Sequence, residues 1–199
     1  ASSPLIFDII ITVYSGQAYA KVRIANHHTN IVLIEKNGQV LQSSEIKDDS
    51  ESDLTDRSFL SVELIYGFAD TVDIEDVRQV LDMQIDYNMA ISEEGLKNDY
   101  GANIGTVLLK SGRDVMEHGG EPALRLKARA MAAAGSDARM NGCGLPVIIN
   151  SGSGNQGITA SVPVIVYARA MGVSREKLYR ALVLSNLLGI HQKTPIGRL

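Results

Sequence analysis

Cysteine is almost missing from this chain: Cys143 is the only one in 199 residues. A single thiol excludes an internal disulfide, and it excludes a four-cysteine zinc or iron–sulfur site built from this sequence alone. Such sparing cysteine use fits a reducing compartment, so the expected location is cytoplasmic. No basic segment followed by an apolar stretch stands at Ala1-Ser2-Ser3-Pro4, so no secretory leader is expected. Long apolar runs are missing too. The longest, near residues 158–170 and 181–190, fall short of the ~20 apolar residues that a bilayer span needs, so no membrane partner is expected. Positive charge is not in excess: 19 Lys+Arg against 23 Asp+Glu give a net charge of −4. A nucleic-acid partner, which wants a basic face, is therefore not expected either.

What is present is an ordinary globular composition, 45% hydrophobic and 21% charged. At this length a packed core needs no disulfide or metal to hold it. Residues 5–14 are rich in Ile and Val, Ser15-Gly16-Gln17 supplies a turn, and residues 19–25 alternate charged and apolar side chains. Residues 31–35 form another apolar strand, Lys36-Asn37-Gly38 a hairpin turn, and residues 39–42 its return. These predict a small antiparallel sheet of about four strands. Residues 43–53, acidic and serine-rich, read as a solvated loop.

The period then changes. Asp73 caps a helix whose Ile74, Val77, Leu81, Ile85 and Asn88 share one face. Residues 101–109 lead into another helical stretch. Pro122 suits a first turn, and residues 123–134 continue as helix until Gly135 stops it. Residues 158–171 and 174–190 complete the set, with Ser174 as cap and Glu176, Lys177 and Arg180 on the wet side. Strands first and helices after is the order of an α+β chain. The expected domains are a β-rich region over residues 1–53 and an apolar helical bundle over 54–199, the sheet packed against the bundle. An alanine start, and an end just after a Lys-Thr-Pro turn, are the marks expected of a piece of a larger enzyme.

Residues 135–159, GSDARMNGCGLPVIINSGSGNQGIT, carry most of the chemistry. Glycines let backbone N–H groups approach a ligand, and the start of the following apolar helix adds unpaired donors that favour an anion. The run is a carboxylate or phosphate cradle, or else a flexible helix–helix connection. It lacks the Gly-Lys-Ser/Thr ending of a nucleotide P-loop and the spacing of a dinucleotide fingerprint. Ser136-Asp137-Ala138-Arg139 offers a guanidinium clamp for a carboxylate, or a cap with a surface arginine. Cys143, between two glycines, is a small buried hydrophobe or a thiol open to a ligand. His27-His28-Thr29-Asn30 joins two strands, and since neighbours alternate faces, at most one histidine enters a site. No metal site is expected from these histidines, which lack a helical or cysteine partner.

At these residues the sequence resembles a bacterial branch of the iron–sulfur-type L-serine dehydratase alpha chains and L-cysteine desulfidases. The resemblance rests on His28-Thr29-Asn30-Ile31-Val32, on Ser136-Asp137-Ala138-Arg139-Met140, and above all on the run from Asn150 to Ala160. It extends to Leu184-Ser185-Asn186 and to Leu199. It implies the middle of a lyase that removes water or hydrogen sulfide from serine or cysteine, giving pyruvate and ammonia. It also implies a [4Fe–4S] cluster in the full-length protein, held by cysteines outside this chain, so no cofactor and no turnover are expected here. The substrate-binding residues implied are Ser136, Arg139, Asn150, Ser151, Ser153, Asn155 and Gln156, with His28 and Asn30 at the rim. Two other classes remain open: a non-catalytic small-molecule or anion-binding module, and an oligomerisation unit. Apolar final helices leave surfaces for missing segments or a second copy to cover.

Overall fold

A computed structural model of the chain describes residues 5, 7–26, 30–46 and 56–194. They divide into two compact units, Ala1–Asp56 and Arg57–Leu199. Together the elements make the α+β arrangement that the order of periods predicts. Most of the acidic stretch, and the His27-His28 pair, lie outside the described residues.

The first unit is a four-stranded antiparallel sheet in sequential order, β1 (Asp8–Ser15), β2 (Ala18–Ala25), β3 (Ile31–Lys36) and β4 (Gln39–Ser43). The β3–β4 turn has Asn37 and Gly38 both at positive φ, 50° and 83°, the backbone that matches strand twist in a two-residue hairpin. One face of β2 is ionic. Arg23 grips Asp8 with two bonds of 2.8 Å, and Lys21 meets Glu35 across the strands at 2.9 Å. Tyr19 donates its hydroxyl to the same Glu35.

Seven helices make up the second unit among the described residues: α1 (Val62–Thr71), α2 (Ile74–Lys97), α3 (Ile104–Ser111), α4 (Arg113–His118), α5 (Gly120–Met140), α6 (Gly154–Met171) and α7 (Arg175–Lys193). None of them is long and apolar enough to cross a membrane. Asp73 and Ser174 cap α2 and α7 as expected, accepting the backbone N–H groups of Glu75 and Lys177 at 3.0 and 3.2 Å. The core lies among α2, α5, α6 and α7, with Leu81, Ile85, Met131, Ile158, Val162, Ile165 and Leu182 buried.

Two helix ends differ most from expectation. Gly135 does not stop α5, which runs on to Met140. A Cβ at Gly135 would lie 2.5 Å from Ser92 Oγ, so this glycine serves close helix packing rather than termination. Ser136–Arg139 is therefore the last helical turn and not a loop. Helix α6 likewise starts at Gly154, four residues ahead of expectation, because Ser153 caps it. Arg180 also departs from its expected place on the wet side. Half-buried, it keeps an ion pair with the exposed Glu176 at 2.9 Å and also donates to the carbonyls of Ala69 and Asp70 at 3.1 and 2.6 Å, tying α7 to the end of α1.

Helices α2 and α5 touch through small residues. A Cβ at Gly95 would meet the Ala134 carbonyl oxygen at 2.1 Å, whereas one at Gly67, on exposed α1, would meet nothing within 4 Å. The two glycines should respond oppositely to the same change. Gly95→Ala should lose about 1–3 kcal/mol through overpacking. Gly67→Ala should gain roughly 0.5–1 kcal/mol from helix propensity. Urea denaturation of the two variants checks the opposite signs.

A second check concerns pH. The Asp82 carboxylate accepts from the Tyr179 hydroxyl at 2.5 Å and from Arg175 at 2.5 Å, while Arg175 lies 5.2 Å over the Tyr179 ring. The tyrosine bond and then the arginine hold Asp82 below the usual carboxylate range. A lowered folded value gives stability that is complete above the unfolded pKa of about 3.9 and lost as pH falls through the folded one. Since the Asp82 side chain is 38% exposed, screening limits the effect to about 1 kcal/mol. Asp82→Asn should therefore lower the denaturation midpoint at pH 7, by a difference that shrinks as pH falls below about 3.9.

Candidate functional site

Thirteen residues, 141–153, connect α5 to α6, and side chains from three helices give them their shape. Asn88 of α2 does most at the centre. Its Nδ2 donates to the Ile148 carbonyl at 3.1 Å and to Ser161 Oγ at 2.9 Å, while its Oδ1 accepts the Ile148 N–H at 2.9 Å. Ser161 passes its own proton to the Gly157 carbonyl at 2.7 Å. Ile148 is thus paired on both its polar groups by one fully buried amide.

The connection then closes as a tight turn. Asn150 and Ser153 exchange backbone bonds of 3.0 and 2.9 Å, with Ser151 and Gly152 between them at φ 49° and 81°. Lys193 of α7 donates to the Ser151 carbonyl at 2.8 Å. Ser153 ends the turn and caps α6, its Oγ accepting the Gln156 N–H at 3.3 Å. The helix start seats tightly because glycines remove obstacles: a Cβ at Gly157 would lie 2.0 Å from the Ile148 oxygen, and one at Gly154 would lie 2.2 Å from Arg139 Nε.

That second clearance places a cation over a helix N-terminus. Arg139, exposed on the last turn of α5, donates from Nη1 to Asn155 Oδ1 at 3.2 Å. Among the described residues it makes no ion pair. The neighbouring acid, Asp137, faces elsewhere: its Oδ2 accepts the Ile104 N–H at 2.7 Å and caps α3. The Gly154 and Asn155 N–H groups have no helical partner, as at any first turn, and the helix dipole adds to the guanidinium charge. The arrangement favours a small carboxylate or phosphate.

The expected residues separate into groups. Arg139, Ser151, Ser153, Asn155 and Gln156 gather around the start of α6, the last four half-buried. Asn150 is 4% exposed, and its amide is engaged: Nδ2 donates to Asn186 O at 3.0 Å and to Asn186 Oδ1 at 2.9 Å. Gln156 donates to Asn150 Oδ1 at 3.0 Å and to the Gly189 carbonyl at 3.4 Å. Ser136 is half-buried on α5. Asn30 belongs to the β unit, where its side chain donates to the Ala25 carbonyl at 2.9 Å. His28 lies outside the described residues. Sequence reasoning missed Gln84, Asn186 and Lys193 as supports. An amide on an apolar helix face is the available signal, because a buried amide must find partners. Asn88 carried that signal and showed its place.

Cys143 is half-buried near the start of the connection, its N–H bonded to the Ala138 carbonyl at 3.0 Å. Hydrogen bonds to the Cys143 side chain and to Glu94 push the Tyr100 hydroxyl up to about 12. An iron–sulfur cluster needs a set of thiolates. This chain offers one, and among the described residues no three His, Cys, Asp or Glu side chains converge. The residues present do not amount to a cluster site.

Comparisons agree with one another. A family model described as serine dehydratase alpha chain matches residues 17–199. A UPF0597 protein of Desulfitobacterium hafniense (strain Y51) is 57% identical over 200 residues, 100% of this chain and 44% of the relative. Another, from Lachnoclostridium phytofermentans, is 50% identical over 192 residues, covering 96% and 44%. A third, from Treponema denticola, is 48% identical over 177 residues, covering 88% and 40%. The chain thus spans less than half the length of these relatives. No solved structure matches.

The Asn88 node yields a direct test. Asn88→Ala removes three bonds and strands both polar groups of Ile148, so it should cost about 2–4 kcal/mol. Denaturation midpoints of the variant and the parent chain measure that loss.

Proposed function

The chain belongs to the serine dehydratase alpha chain family, and from the site it builds we propose that it is the substrate-holding part of an amino-acid lyase. The reaction proposed is β-elimination on L-serine or L-cysteine. The α-proton and the β-hydroxyl or thiol leave as water or hydrogen sulfide, and hydrolysis of the resulting enamine gives pyruvate and ammonia. The observation that carries this reading is Arg139, unpaired by any described carboxylate and lying over the first turn of α6.

A lyase of this type must hold the substrate carboxylate while the α-carbon loses its proton. Arg139 and the free N–H groups of Gly154 and Asn155 suit that task, with Ser151, Ser153 and the Asn155 amide as neutral donors close by. Ser136 and Asn150 complete the proposed set, Asn150 from below by holding the turn. The family resemblance associates the whole protein with a [4Fe–4S] cluster and the cytoplasm, and this chain alone is proposed to be inactive. Nothing in the binding role assigned to these residues depends on the cluster.

The test is pyruvate release from L-serine and L-cysteine by the full-length protein carrying this segment, purified without oxygen. Turnover of at least one substrate is expected. Arg139→Gln should raise its KM about 10- to 100-fold, the worth of a charge-assisted bond. Pyruvate from neither substrate would remove the lyase reading in favour of an anion-binding module.

A further inference from the structure

Four side-chain amides form a continuous run from α2 through α7 and the turn to the first turn of α6, and backbone carbonyls dictate which way each one faces. Asn186 Nδ2 donates to the Leu182 carbonyl at 2.8 Å. A carbonyl has no proton to give, so the group that meets it must be the nitrogen. The other end of Asn186, its oxygen, then accepts from Gln84 Nε2 at 3.0 Å and from Asn150 Nδ2 at 2.9 Å. Gln84 Oε1 takes the remaining Asn186 proton at 2.8 Å, so these two amides are locked face to face. Asn150 Nδ2 also meets a carbonyl, that of Asn186, at 3.0 Å. Its oxygen is therefore left for Gln156 Nε2 at 3.0 Å, and the same nitrogen reaches the Gly189 carbonyl at 3.4 Å.

Reversing any one amide would set oxygen against oxygen or nitrogen against nitrogen. The orientation of Gln156 is thus decided from α7, by Asn186 and Gly189. Both its amide protons point inward. Among the described residues its Oε1 has no protein partner, yet it is not a buried orphan, a condition that belongs there to Ser92 Oγ alone. Gln156 itself is half-buried. Its oxygen is an accessible acceptor, one residue from the Asn155 amide that Arg139 holds.

We propose that Gln156 Oε1 receives the α-ammonium group of the substrate, and that Asn150, Asn186 and Gln84 are positioning residues that keep this oxygen outward. The inference rests on the lyase reading, and it divides the labour of that site. The guanidinium side takes the carboxylate, and the outward oxygen takes the ammonium. A ligand with the carboxylate alone satisfies half of the site. The device therefore selects α-amino acids over the matching hydroxy or mercapto acids.

The experiment compares ligands that differ only in the amino group. On the full-length protein, calorimetry measures L-serine against 3-hydroxypropionate and L-cysteine against 3-mercaptopropionate. The native protein should prefer the amino acid about 10- to 100-fold, the value of a hydrogen bond to a charged group. Gln156→Met should bring that ratio close to one while leaving the affinity for the des-amino acid within about twofold. Asn186→Leu, which leaves Gln156 in place, should also narrow the ratio. Gln84→Met carries the same expectation if Asn186→Leu does not fold. A ratio that stays at the native value in Gln156→Met, or amino-acid and des-amino affinities that fall together, overturns the proposal. A purely structural role would weaken both ligands equally. Absence of pyruvate would count against the lyase reading alone, because a binding preference for the amino group does not require turnover.

Discussion

A buried amide has to be paired at both ends, and the whole candidate site depends on that requirement being met. The connection between α5 and α6 has few backbone bonds of its own. Polar groups at Ile148, Asn150 and Ser151 must be satisfied by something, and Asn88, Asn186 and Lys193 supply it. Amides suit the task because each carries a donor end and an acceptor end and so reads both groups of an extended backbone. Remove the neighbouring helices, and a run of Gly, Ser and Asn would have no fixed shape. Here the helical core determines the geometry of the turn, and the turn in turn sets the start of α6.

Glycine has two opposite meanings in this chain. At Gly152 and Gly38 it supplies positive φ in a tight turn, as composition alone suggests. At Gly95, Gly135, Gly154 and Gly157 the missing Cβ lets another group come within about 2.5 Å of where it would stand. A glycine that lets two elements approach cannot be told from one that ends a helix until the neighbouring element is known. That is why Gly135 reads as a stop in sequence and proves to be an interior residue of α5. The same ambiguity hides the early start of α6.

Strands and the long helices were legible because their signals are local. Alternation over residues 19–25, the Asn37-Gly38 turn, and the caps at Asp73 and Ser174 each act within a few residues. The gathering of Arg139 with the start of α6 was legible in kind, since a polar glycine-rich run before an apolar helix is a recognisable pattern. The supports were not. Gln84 lies 102 residues from Asn186, and Asn88 lies 60 from Ile148. No periodicity in one sequence pairs residues at such distances. Arg180 shows the same limit: four residues from Glu176, with which it pairs, it also reaches the open carbonyls at the end of α1, more than a hundred residues away.

Charge at the site follows from helical geometry. Asp137 and Arg139 are two apart on α5, and residues so spaced point roughly 200° apart around the axis. They cannot neutralise each other. Asp137 serves the first turn of α3, where its carboxylate meets a backbone N–H and a favourable dipole end. Arg139 extends over the first turn of α6, where the same dipole sign repels it, and among the described residues only the Asn155 oxygen and the Met140 sulfur, both neutral, hold it. A cation placed against the positive end of a helix is poorly satisfied by the protein. A ligand carboxylate at that place would satisfy the guanidinium and the free N–H groups together. One turn of α5 thus stabilises the fold with its acid and leaves its base without an ion pair among the described residues.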